Sequence, residues 1–373
     1  MAPLRILSVI GTRPEAVKMA PVIQQLAQTP GVDSLVCATA QHREMLDQVL
    51  NLFDIIPDVD LDLMRPDQSL AQITADIFTD LDPVLRDMRP DWVLAQGDTS
   101  TVMATALLAY YHRIQFGHVE AGLRTGDKFQ PFPEEINRRI ASVSADLHFA
   151  PTETAKQNLL KENIPAEKIV VTGNPVIDAL KQIAAREPTD EVRQLLDSLG
   201  INEEVNSRLV LVTAHRRENF GQPLKNICVA LKMLAEAYDD LEIVYPVHLN
   251  PSVQNVVYPL LDQIPNITLM PPLDYLPMVH LMKHAALVLT DSGGLQEEAP
   301  ALGVPVLVLR EVTERPEGIA AGTVRLVGAN TVKIIAEAKR LLDNPSEHAK
   351  MAQAVNPYGD GHAAERIVQA ITR

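Results

Sequence analysis

The sequence predicts an α/β protein of two Rossmann-like, doubly wound parallel-sheet domains facing each other across a cleft. Short runs of Val, Ile and Leu alternate with amphipathic stretches of about 10–15 residues from end to end, the pattern of βαβ units. That alternation pauses once, over the polar, helix-patterned segment Lys181–Asn206, where Pro188 and Gly200 punctuate the chain, and restarts at Leu209–Thr213. With 373 residues and 46% hydrophobic content, the chain is long enough for two buried cores. No Pro/Gly/Ser-rich linker separates the halves, so the two domains are expected to touch.

In order, Leu4–Ile10 is the first strand, followed by Gly-Thr-Arg-Pro and a helix over Ala16–Ala27. Strands follow at Ser34–Thr39, Trp92–Ala95, Phe116–Val119, Leu147–Ala150 and Ile169–Thr172. Helices are expected at Glu44–Leu50, Leu70–Leu85, Thr101–Tyr111, Glu135–Ser144 and Thr154–Lys161. In the second half the strands are Leu209–Thr213, Glu242–Pro246, Ile267–Met270, Leu287–Thr290, Val306–Leu309 and Val324–Leu326. A helix over Ala363–Arg373 closes the chain, and periodicity does not say which domain it joins.

The balance of 33 Lys+Arg against 48 Asp+Glu gives a net charge of −15, which repels phosphate backbones, so no nucleic-acid partner is expected. A small anionic ligand is compatible with it, because a few cations and helix N-termini make a local positive pocket. Cys37 and Cys228 lie far apart and suggest neither a disulfide framework nor a metal knuckle. The N-terminus lacks a long apolar h-region, and no window approaches the roughly 18 apolar residues of a spanning helix. A cytoplasmic protein without membrane contact is expected.

Ligands of doubly wound sheets bind beyond the carboxyl ends of the strands, so polar residues there carry the most weight. After the first strand, Arg13 and Lys18 add charge to a helix N-terminus that offers N–H groups to an anion, although an ordinary β–α turn reads the same way. The loop is neither GxGxxG nor a Walker loop. Asp98 follows Trp92–Ala95 and is either a helix N-cap before Thr99-Ser100 or a carboxylate at the rim. Glu120 follows Phe116–Val119 at the same rim, with Arg124 as a possible ion-pair partner. Glu134 and Glu135 open a helix, where the dipole alone favours acids. Three carboxylates near one rim, short of counter-charge, suit general acid–base chemistry.

In the second half His215 ends a strand and can act as phosphate ligand or proton carrier; His248 holds the equivalent place after Glu242–Pro246. His280 and His284 are spaced i,i+4 without HExxH and read as helix-face residues, not zinc ligands. The segment Thr290-Asp291-Ser292-Gly293-Gly294 runs from a buried strand into a helix, so bare N–H groups and a hydroxyl can close on a diphosphate. Glu298 lies one turn beyond, within reach of ribose hydroxyls, and Arg315 can reinforce the anion site.

Taken together, GTRPEAVKMAP, QGDTST, GHVEAGLRTGD, PFPEEINRR, TAHRREN, VYPVHLNP, LTDSGGLQEEAPALGVPVLVLR, TERPEG and NPYGDG resemble the non-hydrolysing UDP-N-acetylglucosamine 2-epimerases over essentially the whole chain. The resemblance implies a GT-B-like pair of domains, 1–172 with 357–373 and 173–356, a cleft active site, a homodimer, and no cofactor or metal. It implies interconversion of UDP-N-acetylglucosamine and UDP-N-acetylmannosamine by elimination of UDP to 2-acetamidoglucal and re-addition, in the service of bacterial surface polysaccharides. By motif position, Asp98, Glu120 and Glu134 resemble the family's catalytic carboxylates, and His215 its histidine beside the diphosphate. Arg13, Lys18, Ser292, Gly293, Gly294, Glu298 and Arg315 match its UDP-sugar-binding positions, and Leu273 to Met278 its uracil-facing stretch. Gln41, His42 and Arg43 resemble part of a second, activating UDP-N-acetylglucosamine site, although Glu44 replaces the glutamine some relatives carry. The alternatives are a GT-B glycosyltransferase, a hydrolysing epimerase that releases free N-acetylmannosamine, and a silent UDP-sugar sensor.

Overall fold

The apolar runs become parallel strands and the amphipathic stretches become helices, in a computed structural model that describes residues 2–39, 43–63, 65, 67–201 and 208–373. Its first elements are β1 (Leu4–Ile10), α1 (Arg13–Ala27), β2 (Val32–Ala38), α2 (Arg43–Leu52), β3 (Val59–Asp60) and α3 (Leu70–Met88). They continue through β4 (Trp92–Gln96), α4 (Ser100–His112), β5 (Gln115–Val119), α5 (Glu134–Ser144), β6 (Leu147–Ala150), α6 (Glu153–Lys161), β7 (Ile169–Val171) and α7 (Pro175–Ala184). After α8 (Asp190–Ser198) come β8 (Arg208–Thr213), α9 (Gln222–Ala237), β9 (Leu241–Pro246), α10 (Pro251–Leu261), β10 (Ile267–Met270) and α11 (Tyr275–His284). The chain ends with β11 (Ala285–Thr290), α12 (Gly293–Ala301), β12 (Val306–Val308), α13 (Pro316–Ala321), β13 (Val324–Leu326), α14 (Thr331–Asp343), α15 (Pro345–Ala352) and α16 (Ala363–Ile371).

Two units result, Met1–Ala179 with Tyr358–Arg373, and Leu180–Pro357. In the first the sheet order is β3-β2-β1-β4-β5-β6-β7, and in the second β10-β9-β8-β11-β12-β13, all pairs parallel. Both follow the doubly wound pattern in which chain order reverses beside the first strand, between β1 and β4 and between β8 and β11. A sheet covered on both faces needs strands that are apolar throughout, and β4 is buried at every residue. The covering helices supply stripes: Ile73, Ile77, Leu81 and Leu85 bury one face of α3, which a Ser69–Gln72 capping box starts.

The departures from the expected elements are local. A two-residue edge strand, β3, escapes sequence reading because two residues show no period. The expected helical run from Lys181 to Asn206 is broken: α7 ends at Ala184, and Thr189 caps the separate α8 beyond Pro188. Residues 202–207 lie outside the described residues.

The closing helix α16 packs on α1. It buries Ala363, Ala364, Ile367, Val368 and Ile371, and the Asp178 carboxylate accepts the Ala363 and Ala364 N–H groups at 3.2 and 2.9 Å. Burial pushes the Asp178 carboxyl upward, and those two hydrogen bonds act against that rise. Asp178→Ala is expected to cost on the order of 1 kcal/mol, the worth of a helix cap, and to accelerate amide hydrogen exchange in residues 363–371 ahead of the sheet. Unchanged exchange there would show that apolar packing alone holds the helix.

Candidate active site

In the first unit the loops leaving β1 and β4 part at the point where strand order reverses, which exposes the carboxyl edge of the sheet. Gly11 leaves β1 where an added Cβ would stand 2.6 Å from both Thr39 Oγ1 and Thr101 Oγ1, so only glycine fits. Thr12 then caps α1 in a capping box with Glu15. The buried Glu15 carboxylate accepts the N–H groups of Gly11 and Thr12 at 2.6 and 2.8 Å and the Thr99 hydroxyl at 2.5 Å, tying the β1 loop to the β4 loop. Burial pushes its pKa up, those hydrogen bonds pull it down, and the charge of Asp98 adds to the rise. Arg13 opens α1, partly buried.

Glu120 stands just past β5 with φ at +62°, a left-handed conformation costly for a non-glycine residue and held here by the surroundings. Its buried carboxylate takes Lys18 Nζ at 2.8 Å on both oxygens, the Asn174 amide at 2.8 Å on Oε1, and the Gln96 amide on Oε2. Arg124, the expected partner, instead makes a two-pronged pair with Glu162 at 2.8 and 2.7 Å. Lys18 reaches Glu120 from α1, which packs against β1, β2 and β4, the last of these the neighbour of β5.

Asp98 does not cap α4. Thr99 does, accepting Val102 N–H, which leaves the Asp98 carboxylate to pair with Arg138 while its carbonyl accepts the Asn137 amide at 3.0 Å. Glu134 precedes Asn137 and Arg138 by three and four residues, so all three share one face of α5. Among the described residues, the Glu134 Oε2 atom is buried without a hydrogen-bond partner. Glu135, fully buried, is structural: it takes Arg139 at 2.9 Å, Arg138 at 3.4 Å and Thr125 N–H at 3.1 Å. Asp98, Glu120 and Glu134 thus differ in their partners: a guanidinium, a lysine with two amides, and for one Glu134 oxygen none.

In the second unit the reversal lies between β8 and β11. His215 follows β8, about a third exposed at its side chain, and stacks on His248 with ring centroids 5.1 Å apart. Its backbone N–H, that of Arg216 and the Asn219 amide all donate to Asp291 Oδ2, at 2.8, 2.8 and 2.9 Å. Burial pushes the His215 pKa down, Asp291 opposes this, and His248 and Arg216 add to the fall. Ser292 precedes α12, whose first N–H groups lack intrahelical acceptors. At Gly293 an added Cβ would meet Glu314 Oε1 at 2.9 Å, whereas at Gly294 it would make ordinary contact with Glu298. Glu298 accepts the Tyr275 hydroxyl at 3.0 Å. Arg315 is bonded to the buried Glu297, so a carboxylate accompanies its charge. Leu273 precedes α11 and Met278 lies within it, both partly buried.

His284 Nδ1 is bonded to the His280 carbonyl at 2.7 Å, and among the described residues no three His, Cys, Asp or Glu side chains gather as for a metal. No described helix is long and apolar enough to cross a membrane. Gln41 and His42 lie outside the described residues, and so does the side chain of Arg43. Sequence reading missed Glu15, Gln96, Asn174, Arg138, Tyr275 and Asp291 as parts of these sites. Only Glu15 carried a local signal, the Thr-x-x-Glu capping box; the others join through contacts distant in sequence.

Two doubly wound units with polar side chains gathered at both reversal points define a Rossmann-like α/β protein with an enzyme-like site. More particularly, the chain belongs to the UDP-N-acetylglucosamine 2-epimerase family, whose model matches residues 24–372. It is 54% identical over 369 residues to a UDP-N-acetylglucosamine 2-epimerase of Salmonella typhimurium, covering 99% of this chain and 98% of that one. To the Escherichia coli K12 protein of that name it is 52% identical over 371 residues, at 99% and 98% coverage. The solved structure of UDP-GlcNAc 2-epimerase from Neisseria meningitidis bound to UDP-GlcNAc is 50% identical, with a TM-score of 0.89 and 99% of each chain covered. The family resemblance of the sequence blocks is therefore borne out.

Lys18→Met would leave a buried carboxylate without its counter-charge, and about 3 kcal/mol of stability is expected to go, measurable by urea unfolding. A loss below about 0.5 kcal/mol would show that the Asn174 and Gln96 amides suffice. Nearby, burial holds His118 down at about 4 and His148 at about 3, from an ordinary 6.5. Both rings stay neutral when folded but gain protons when unfolded below pH 6.5, so stability falls as the pH drops from about 6.5 towards 4. His148→Leu should flatten that slope in thermal melts taken between pH 7 and pH 4.5.

Proposed function

We propose that this chain interconverts UDP-N-acetylglucosamine and UDP-N-acetylmannosamine by eliminating UDP and adding it back. The observation that carries the reading is the meeting of Asp98, Glu120 and the first turn of α5, bearing Glu134, at the carboxyl edge of one sheet. The C2 hydrogen of the sugar is not next to a carbonyl, so direct deprotonation is unfavourable. As the C1–O bond to UDP breaks, its electron pair leaves with the diphosphate, C1 turns oxocarbenium-like and C2 becomes acidic. One carboxylate takes the C2 proton, giving 2-acetamidoglucal and UDP. Return of a proton to the opposite face of C2, with UDP oxygen bonding again to C1, completes the change, so two proton-transfer positions are required.

The partners support this division of labour. Lys18, Asn174 and Gln96 hold Glu120 in place, and Arg138 does the same for Asp98, so neither acid has to be ordered during the reaction. Arg13, His215, Ser292, Gly293, Gly294 and Arg315 serve the diphosphate, Glu298 the ribose, and Leu273 to Met278 the uracil. Family membership also supports a cytoplasmic homodimer of two-domain protomers, 1–172 with 357–373 and 173–356, supplying UDP-N-acetylmannosamine to bacterial surface polysaccharides.

Incubation with UDP-N-acetylglucosamine in deuterated water, followed by NMR, tests the reading. Deuterium at C2 of both epimers, with UDP still attached, is the expected result. Free N-acetylmannosamine plus UDP would mean hydrolysis, acceptor-dependent UDP release would mean transfer, and binding without exchange would mean a sensor. Asp98→Asn and Glu120→Gln should each lower exchange at least about 100-fold while retaining UDP binding. Near-normal turnover in either would remove that acid from the mechanism.

A further inference from the structure

The residue on which the second reversal point turns is one to which the sequence reading gave no role. Asp291 directly follows β11, is fully buried, and receives three donors on Oδ2: the N–H groups of His215 and Arg216 and the Asn219 amide. Asn219 also donates to the Leu309 carbonyl at 3.0 Å, and Asp291 N–H donates to the Thr213 carbonyl at 3.1 Å, so the ends of β8, β11 and β12 are knitted at this carboxylate. Its other oxygen, Oδ1, is buried with no hydrogen-bond partner among the described residues and faces His215 Nδ1 across 3.9 Å. A buried lone pair left unmatched is costly, and that ring nitrogen is a donor-capable atom within 3.9 Å of it. The separation is too long for a hydrogen bond, so the pairing requires the His215 ring to move towards Oδ1.

We propose that Asp291 is the positioning residue for His215: Oδ2 fixes the turn that carries the histidine, and Oδ1 selects the ring state with a proton on Nδ1, which aims Nε2 outward at the diphosphate. The inference rests on the functional reading above for the identity of that anion, not for the Asp–His pairing itself. Among the described residues three groups act electrostatically on the ring: Asp291 from just past β11, His248 stacked on it from beyond β9, and Arg216 from its own turn. Asp291 is the one that favours the imidazolium, the form that donates from both nitrogens. The same carboxylate orients the neutral ring, as an acidic partner does for a histidine in other active sites.

Ring ¹⁵N spectra of the full-length protein, with the His215 signal assigned by its loss in His215→Gln, provide the test. At pH 8 the expected His215 state is the Nδ1–H tautomer; finding Nε2–H would overturn the proposal, and this measurement needs no variant at position 291. In Asp291→Asn the amide can still accept on the turn side but presents N–H to the ring, so His215 should switch to Nε2–H and its pKa fall by about one unit. The acid limb of C2 exchange against pH should move with it, a shift that mere loosening of the turn does not produce. An unchanged tautomer and pKa in a folded Asp291→Asn variant would also overturn the proposal. A shifted titration without C2 exchange in the wild-type protein would uphold the pairing and defeat the epimerase reading instead.

Discussion

A carboxylate taken out of water must be surrounded by donors, and that requirement organises both reversal points of this fold. Glu120 is buried only because α1 delivers Lys18, β4 ends in Gln96 and the turn before α7 brings Asn174. Glu15 is buried because two backbone N–H groups and the Thr99 hydroxyl converge on it. Asp291 is buried because a whole turn, from His215 to Asn219, folds round it. For Glu15 and Asp291 the donors come from loops that leave neighbouring strands, whereas for Glu120 they come from α1, the last residue of β4 and the turn before α7. The acids therefore determine loop shape as much as the loops determine where the acids sit.

The two sheets share a topology and gather different side chains at their reversal points. At the first reversal the buried acids fix other acids: Glu15 binds Thr99, next to Asp98, and Glu135 shares Arg138 with Asp98. At the second, the buried acid fixes a histidine and lies immediately before a Ser-Gly-Gly helix start. On the proposed reaction, one edge moves protons and the other receives the anion. Glycine matters where it excludes a side chain, at Gly11 beside Thr39 and Thr101 and at Gly293 beside Glu314.

Much of this was legible in the sequence because parallel strands and their covering helices announce themselves by period, and because ligand-facing residues of doubly wound sheets follow strand ends. Asp98, Glu120, His215 and Ser292 all follow strand ends in the structure. What period could not convey is partnership across distance. Arg124 is closer to Glu120 in sequence than Lys18, yet Lys18 holds it, because pairing follows the stacking of α1 on the sheet and not chain separation. Asn174 and Asp291 likewise gain meaning only once β5 meets α7 and β8 meets β11. Asp98 looked like a helix cap because the next residue, Thr99, competes for that role; a threonine with the right backbone angles took it, and the aspartate was left for Arg138.

The net charge of −15 bears on how a diphosphate would be held. Cations at these sites do not stand as bare charge: Lys18 is met by Glu120, Arg138 by Asp98 and Glu135, Arg310 by Glu218 and Glu314, and Arg315 by Glu297. Long-range attraction for a polyanion is correspondingly weak, and recognition falls to short-range donors: helix N–H groups, a serine hydroxyl and, when His215 is protonated, the imidazolium that Asp291 favours. On the proposed reaction this is an advantage. UDP has to be retained while it is detached from the sugar and yet remain free to bond again to C1, so a grip of oriented, short-range hydrogen bonds, strengthening as charge develops on the leaving oxygen, serves the transition state better than uniform electrostatic binding of the ground state.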